Sequence, residues 1–383
     1  MNKIIIVGGG AAGFFAAQAA RETDAQACIQ LVCGEKTLPY YRPRICEVFS
    51  GLSLDKLSVR DRQWFIDNNI EVINGQVTAI IASENKVLLE DGSFLFYDKL
   101  ILATGAAGNK PELPGGGEQN TLALRYLADI ERVRNIPGPV VLVGGGLLGL
   151  EAAWHLSKAG RPVIIIERGD WLLKRQLDAE ASRFFLGIVE KAGVRVALRG
   201  SVKNYDGRTL LLDDGRAYEA ACVIFAAGIL PQIKLGKALS LTIGRGIEVD
   251  EFMRTSLSNV YACGDCAEYE GQNLGLWTVS MAQGLIAGKN AAGAEAVYRP
   301  EAPPYIMKAM GSNIWCAGAQ TANSLVEKNS VAGRLSKLFF DEQNKLNGAI
   351  LIGEISQAMN LKKAIASAME KQEAARAFWG TIK

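Results

Sequence analysis

One unit that occurs twice limits what this chain can fold into more than any other feature of its sequence. Ile4-Ile5-Ile6-Val7 runs directly into Gly8-Gly9-Gly10-Ala11-Ala12-Gly13 and an alanine-rich stretch to about Ala20. Val140-Val141-Leu142-Val143 runs into Gly144-Gly145-Gly146-Leu147-Leu148-Gly149 and a helical pattern through Leu156. Branched residues in a row suit a strand buried on both faces of a parallel sheet, and the small residues that follow suit a helix lying close on it. In each G-x-G-x-x-G the first glycine permits a tight turn, the second admits a pyrophosphate to the backbone, and the third lets helix meet sheet. Free amides and partial positive charge at the helix N-terminus favour phosphate. About twenty residues beyond each set of glycines, a second strand (Ala27 to Val32, and Val163-Ile164-Ile165-Ile166) runs towards an acid, Glu35 in one copy and Glu167 in the other. A carboxylate there accepts hydrogen bonds from a ribose diol. A lone glycine fingerprint is weak evidence; two complete units in order predict two dinucleotide-binding domains.

Three further segments end strands in small residues. They are Leu100 to Ala106, which carries Ala103, Thr104 and Gly105; Cys222 to Gly228; and Asn259 to Asp265. The first two bring backbone against a dinucleotide, and Asp265 offers an acceptor for the hydroxyls of an FAD ribityl chain. Because Asp265 is so far from Gly10 in sequence, the FAD domain must be discontinuous. The expected architecture is α/β, with two Rossmann-like dinucleotide-binding domains and a small C-terminal α/β domain. The FAD domain takes 1–112 and 236–300, the NAD(H) domain is inserted as 113–235, and 301–383 follow a boundary marked by Pro300, Pro303 and Pro304. Within the last part, Leu338 to Ile352 reads as a hairpin, and Leu361 to Phe378 as one terminal amphipathic helix.

Composition removes several alternatives. The 383 residues carry 42 basic and 40 acidic side chains, a balance without the electrostatic footprint of a nucleic-acid or membrane-surface protein. No apolar stretch approaches the length of a membrane span. Seven scattered cysteines fit a reduced, cytoplasmic chain better than a disulfide scaffold. His155 is the only histidine, and no clustered-cysteine pattern for a metal is visible.

With these motifs the chain resembles the FAD-dependent pyridine nucleotide-disulfide oxidoreductases, and most of all the NADH:rubredoxin and flavorubredoxin reductases. The resemblance rests on the glycine units, on Leu38-Pro39-Tyr40-Tyr41-Arg42-Pro43-Arg44, on residues 103–106 and 144–151, and on Tyr261-Ala262-Cys263-Gly264-Asp265. It implies that Glu35 holds the FAD ribose, Arg42 of the Arg42-Pro43 pair the pyrophosphate, Val77 the adenine through its backbone, and Asp265 the ribityl chain. Arg125 matches a position where an FAD-contacting arginine is common, and a helix starting near Ala282-Gln283 would face the pyrimidine end of the flavin. Glu151 matches a carboxylate near the nicotinamide. Glu47 stands where ferredoxin reductases carry a lysine, a departure that favours the rubredoxin branch. Glu151 and Glu47 are the candidate catalytic residues. Glu167 accepts from a ribose 2′-hydroxyl and repels a 2′-phosphate, so NADH is favoured over NADPH even with Arg168 beside it.

The implied acceptor is a small acidic electron carrier, rubredoxin foremost, with flavorubredoxin or ferredoxin as alternatives. Lys308, Arg334, Lys337 and Lys362 are candidates to dock it; Trp277 and Trp315 either line that face or, as an equal alternative for each, pack in the core. Three competing readings stand beside this one: an NADH oxidase or peroxidase using Cys46, a ferredoxin reductase, and a redox-gated interaction flavoprotein. Cys46 is placed in the first turn of a helix beginning near Pro43, where a thiol pKa falls, with helix packing as its default reading. The Cys263-Gly264-Asp265-Cys266 motif reads as buried small residues rather than a redox pair.

Overall fold

The computed structural model describes residues 2–35, 37–115, 117–300, 304–320, 325–331 and 333–379; Pro303 lies outside them. The chain forms two compact units. One comprises Met1–Ile45, Leu52–Gly108 and Gly228–Glu301, and the other Cys46–Gly51, Asn109–Ala227 and Ala302–Lys383.

In the first unit five parallel strands lie in the order Val260–Ala262, Lys99–Leu102, Lys3–Val7, Cys28–Cys33, Ile70–Asn74. Ile4, Ile5 and Ile6 are fully buried, as expected of a central strand covered on both faces. The helix Ala11–Thr23 follows it and packs along the helix Trp277–Ala291. The two helices approach to backbone contact. A Cβ on Gly284 would sit 2.3 Å from the Ala12 carbonyl oxygen, and one on Gly288 2.1 Å from that of Ala16. Any larger residue at 284 or 288 would separate them.

The second unit repeats the plan. Its parallel strands run in the order Arg195–Leu198, Val163–Glu167, Val140–Val143, Cys222–Phe225, Thr121–Ala123. In both sheets the glycine loop leaves the middle strand of five, with strands added on either side of it. That is the switch point where such sheets open a crevice for ligands.

The C-terminal part of this unit is an antiparallel sheet in the order Tyr305–Ala309, Ser312–Gly318, Leu346–Ile352, Arg334–Phe340, Leu325–Val331. The hairpin expected from Leu338 to Ile352 is present. The single terminal helix is not. It is broken into Ala358–Ala366 and Lys371–Trp379, with Ala368 at φ +49 between them. The break lets the Leu346 N–H bond the Met369 carbonyl and Lys345 bridge to Glu370, so the segment pairs with the sheet instead of completing a helical turn. Trp315 is a core residue, 2% exposed, packed with Leu361, Ala364 and Ala374, and does not line a surface.

Lys337 also departs from its expected docking role. It is 2% exposed and pairs with Asp178 and, at 2.9 Å, with Glu180 at the start of the helix Ala179–Lys191. Hydrogen bonds from Lys328 and Lys337 hold the Glu180 carboxyl down at about 2. The consequence is asymmetric. Lys337→Met keeps the apolar stem and leaves the two part-exposed acids to water, so it is expected to cost less than about 1 kcal/mol. Removing both acids strands a buried ammonium and deprives the helix of its cap, since Asp178 accepts from the Ala181 N–H at 2.9 Å. Asp178→Ala with Glu180→Ala is therefore expected to cost about 3 kcal/mol or more in urea melts. Equal costs for the two variants would refute this account.

Candidate functional site

Both glycine loops have the same construction. Gly8 adopts φ +121 and Gly144 φ +119, a region closed to other residues without strain, and a Cβ there would lie 2.1 Å from the Ala103 oxygen or 2.6 Å from the Ala226 oxygen. A Cβ on Gly13 or Gly149 would strike the Gly8 or Gly144 oxygen at 1.8 and 2.1 Å. The middle glycines differ. Around Gly10 and Gly146 a Cβ would meet nothing within 4 Å. Each of these two is the N-cap of its helix, and in neither helix does a capping side chain take up the first amides, those of Ala11, Ala12 and Gly13 and of Leu147, Leu148 and Gly149. An uncapped helix start beneath a space kept clear of side chains fits an anionic group such as a pyrophosphate.

In the first unit Glu35 receives Arg42 Nη2 at 2.8 Å and the Tyr40 hydroxyl at 2.8 Å, while Arg42 Nη1 donates to Tyr40 at 2.6 Å. Arg42 and Pro43 open the 3₁₀ helix Arg42–Ser50. Tyr40 was not foreseen from sequence; its place between the Glu35 and Arg42 motifs was the available signal. Thr104 donates to the Gln232 carbonyl at 2.7 Å and Gly105 accepts from the Gln232 N–H, joining the strand end at 103–105 to the chain just beyond Gly228. Val77 begins a strand at a β-bulge. Asp265 accepts from Ser280 at 2.9 Å, beside a cavity of about 40 Å³ lined also by Asn273 and Tyr298. That space suits a water and not a substrate.

Gln283 is not at a helix start. The helix runs Trp277–Ala291, so Gln283 lies almost two turns inside, and its side-chain oxygen accepts the Gly264 N–H at 2.8 Å. The free amides are those near Trp277, whose ring lies 4.6 Å from that of Tyr41.

In the second unit the Glu167 carboxylate accepts the Gly145 N–H at 2.7 Å and the Gly169 N–H at 2.5 Å, which fixes it beside the glycine loop. Arg125 belongs to this unit, and its own N–H and that of Tyr126 bond Asp129 at the head of the helix Leu127–Arg134. Glu151 lies in the second turn of the helix Leu147–Lys158, past the reach of a first-turn dipole effect. Burial, with the charge of Glu47 nearby, raises its carboxyl to about 7.

Cys46 is packed, as its default reading has it, and not activated. The helix is 3₁₀, Cys46 is its fifth residue and 1% exposed, and burial followed by Glu151 and Glu47 pushes its thiol well above the ordinary value. Such a thiol is a poor nucleophile. Cys263 and Cys266 are both free and fully buried, and burial raises both thiols. Among the described residues, no group of three or more His, Cys, Asp or Glu side chains is placed to hold a metal ion.

Residues 2–284 match the family described as pyridine nucleotide-disulphide oxidoreductase. The chain belongs to that family. Residues 303–369 match the rubredoxin NAD+ reductase C-terminal domain. The chain is 33% identical over 373 residues to the NADH-rubredoxin oxidoreductase of Clostridium acetobutylicum, covering 96% of this chain and 95% of that protein. The crystal structure of that enzyme superposes with a TM-score of 0.80 over 96% of each chain. An NAD-dependent persulfide reductase from A. fulgidus superposes with a TM-score of 0.88 at 26% identity, over 98% of this chain and 78% of that one. The two relatives carry names for different acceptors, rubredoxin and persulfide, and the C-terminal match is to the rubredoxin reductase domain.

Proposed function

We propose that this protein oxidises NADH with FAD and passes the electrons singly to a small electron-carrier protein, rubredoxin foremost. The observation that carries this reading is a rubredoxin-reductase C-terminal domain joined to two dinucleotide units with clear space over Gly10 and Gly146. Flavin, when bound, accepts a hydride and returns two electrons one at a time. The protein's work is to hold and orient. Gly8, Gly10 and Gly13 present the helix amides to the FAD pyrophosphate, and Arg42 adds its charge. Glu35 takes the ribose diol, the Val77 backbone the adenine, and Asp265 the ribityl hydroxyls. Backbone at 103–105 and at Gly228 closes on the cofactor. Gly144, Gly146 and Gly149, with the Leu147 and Leu148 amides, hold the nicotinamide dinucleotide, and the Glu167 carboxylate makes it NADH rather than NADPH.

Lys308 and Arg334 are exposed and remain candidates to meet an acidic carrier, whereas Lys337 is committed to its ion pairs. No described helix is long and apolar enough to cross a membrane. All seven cysteines are free, which supports a cytoplasmic setting. The buried Cys46 speaks against an oxidase or peroxidase built on that thiol.

The test is stopped-flow reoxidation of the NADH-reduced protein by rubredoxin, ferredoxin, oxygen and peroxide in turn, with Cys46→Ser alongside. Rubredoxin is expected to be the fastest acceptor, and the serine variant to match the parent. Reoxidation that rubredoxin does not accelerate would overturn the assignment of the acceptor.

A further inference from the structure

One segment of the second unit, residues 168–178, is tied at its start to the glycine loop and at its end to the C-terminal sheet. At its start, Gly145 is gripped twice. Its N–H bonds the Glu167 carboxylate at 2.7 Å, and its carbonyl accepts the Leu173 N–H at 3.0 Å. Leu172 packs on the same residue: a Cβ at Gly145 would lie 2.5 Å from Leu172 Cδ2. Leu173 does this with its backbone at φ +54, in the left-handed region that a leucine adopts at a cost. Such a residue keeps that form where its neighbours enforce it. Its own carbonyl accepts from the Gln176 and Leu177 N–H groups at 2.7 and 2.8 Å, closing a tight turn.

The far end of that turn is held by the C-terminal sheet. Gln320, just past the strand Ser312–Gly318, donates through Nε2 to the Gln176 carbonyl at 2.8 Å. Lys337, on the strand Arg334–Phe340, pairs with Asp178, the residue that caps the helix Ala179–Lys191. A buried ammonium is a stiff anchor, because leaving its acids would strand the charge away from water. We propose that Gln320 and Lys337 are positioning residues for the nicotinamide dinucleotide, holding segment 168–178 in the form that fixes Gly145 and Glu167. This deepens the proposed function and rests on its assignment of NADH to Gly144–Gly149 and Glu167. The sheet that matches the rubredoxin reductase domain thereby gains a second task, inside its own unit.

The physical reason is preorganisation. With its far end released, Leu173 can relax out of the left-handed region and let go of the Gly145 carbonyl. The loop then presents its binding form for a fraction of the time, and the apparent Kd rises by the inverse of that fraction. Neither anchor is placed to touch the dinucleotide, so both act through the segment. Lys328 supplies the contrast. It is exposed and pairs at 2.5 Å with Glu180, beyond the segment's end. It carries the same charge as Lys337 without the anchoring role.

The test titrates NAD+ calorimetrically into the FAD-loaded full-length protein and follows hydrogen exchange by mass spectrometry. Gln320→Ala and Lys337→Met should each raise the NAD+ Kd about threefold, and the double variant about tenfold. Exchange should quicken in 144–149 as well as in 168–178, while flavin content stays that of the parent. In anaerobic stopped flow, the NADH concentration giving half the maximal reduction rate should rise about tenfold, with the limiting rate within about twofold. Gln320→Ala, which loses one bond to a half-buried side chain, keeps the test open if the lysine variant does not fold. Lys328→Ala should leave the Kd unchanged. A double variant whose Kd stays within about twofold of the parent, or whose 144–149 exchange is unmoved, would overturn the proposal. So would an equal rise in Lys328→Ala, because charge and not position would then govern binding. A parent protein that neither binds NAD+ nor is bleached by NADH fails the functional reading instead; one that does both, with an unmoved double variant, fails this inference alone.

Discussion

Gly10→Val is expected to yield a folded protein that stays colourless after incubation with FAD. A Cβ at Gly10 meets no protein atom within 4 Å, and its backbone (φ −80, ψ −169) is extended and open to any residue. Valine there leaves the fold alone and fills the space over the helix amides. FAD affinity should fall by about 100-fold or more, roughly 2.7 kcal/mol, read from flavin absorbance after gel filtration. Gly13→Val is the contrasting case. Its Cβ would lie 1.8 Å from the Gly8 oxygen, so helix and sheet must part, at a cost of about 3 kcal/mol in the apoprotein melt. Gly146→Val carries the same logic to the second unit: the protein should stay yellow and be bleached by dithionite, while NADH reduces it about 100-fold more slowly. A Gly10→Val protein that remained yellow would show that the clear space does not serve FAD, and the assignment of the first unit would fall.

The second large effect is expected at Glu167. Its carboxylate, proposed above to receive the ribose, occupies the Gly145 and Gly169 amides at 2.7 and 2.5 Å. Glu167→Ala removes a charged acceptor, which weakens NADH by about 2 kcal/mol. It also frees two backbone donors that together can receive an anion, the geometry a 2′-phosphate needs. Both changes act in one direction. The NADH-to-NADPH ratio of kcat/KM should fall by roughly 100-fold, measured under single-turnover reduction so that acceptor steps do not intrude. An unaltered ratio, with the variant still folded and yellow, would mean that selectivity resides elsewhere in the second unit.

Much of this site was legible before the structure because it depends on short-range order. A strand, three glycines, a helix and an acid follow one another within about thirty residues, so their spacing is visible in the chain itself. The hairpin at 338–352 was legible for the same reason. Expectations that relied on where an element begins fared worse. Gln283 was taken for a helix start, but the helix opens at Trp277; nothing in the run Trp277-Thr278-Val279 supplies a cap to mark it. The lowered pKa that a helix N-terminus would lend Cys46 is absent, because burial and two acids, one of them over a hundred positions away, push its thiol up. The terminal helix broke because Met369 found a partner in Leu346, a bond that no helical periodicity reveals.

What the order of residues determined by itself is the duplicated parallel architecture and the tight glycine geometry of its two loops, because local sterics and hydrophobic pattern act on neighbours along the chain. Tertiary structure alone decided which polar groups meet: Lys337 with Asp178 and Glu180, and Ser50 with His155. Those encounters set burial and protonation, and electrostatic energy depends on distance and surrounding dielectric through space, neither of which is written in spacing along the chain.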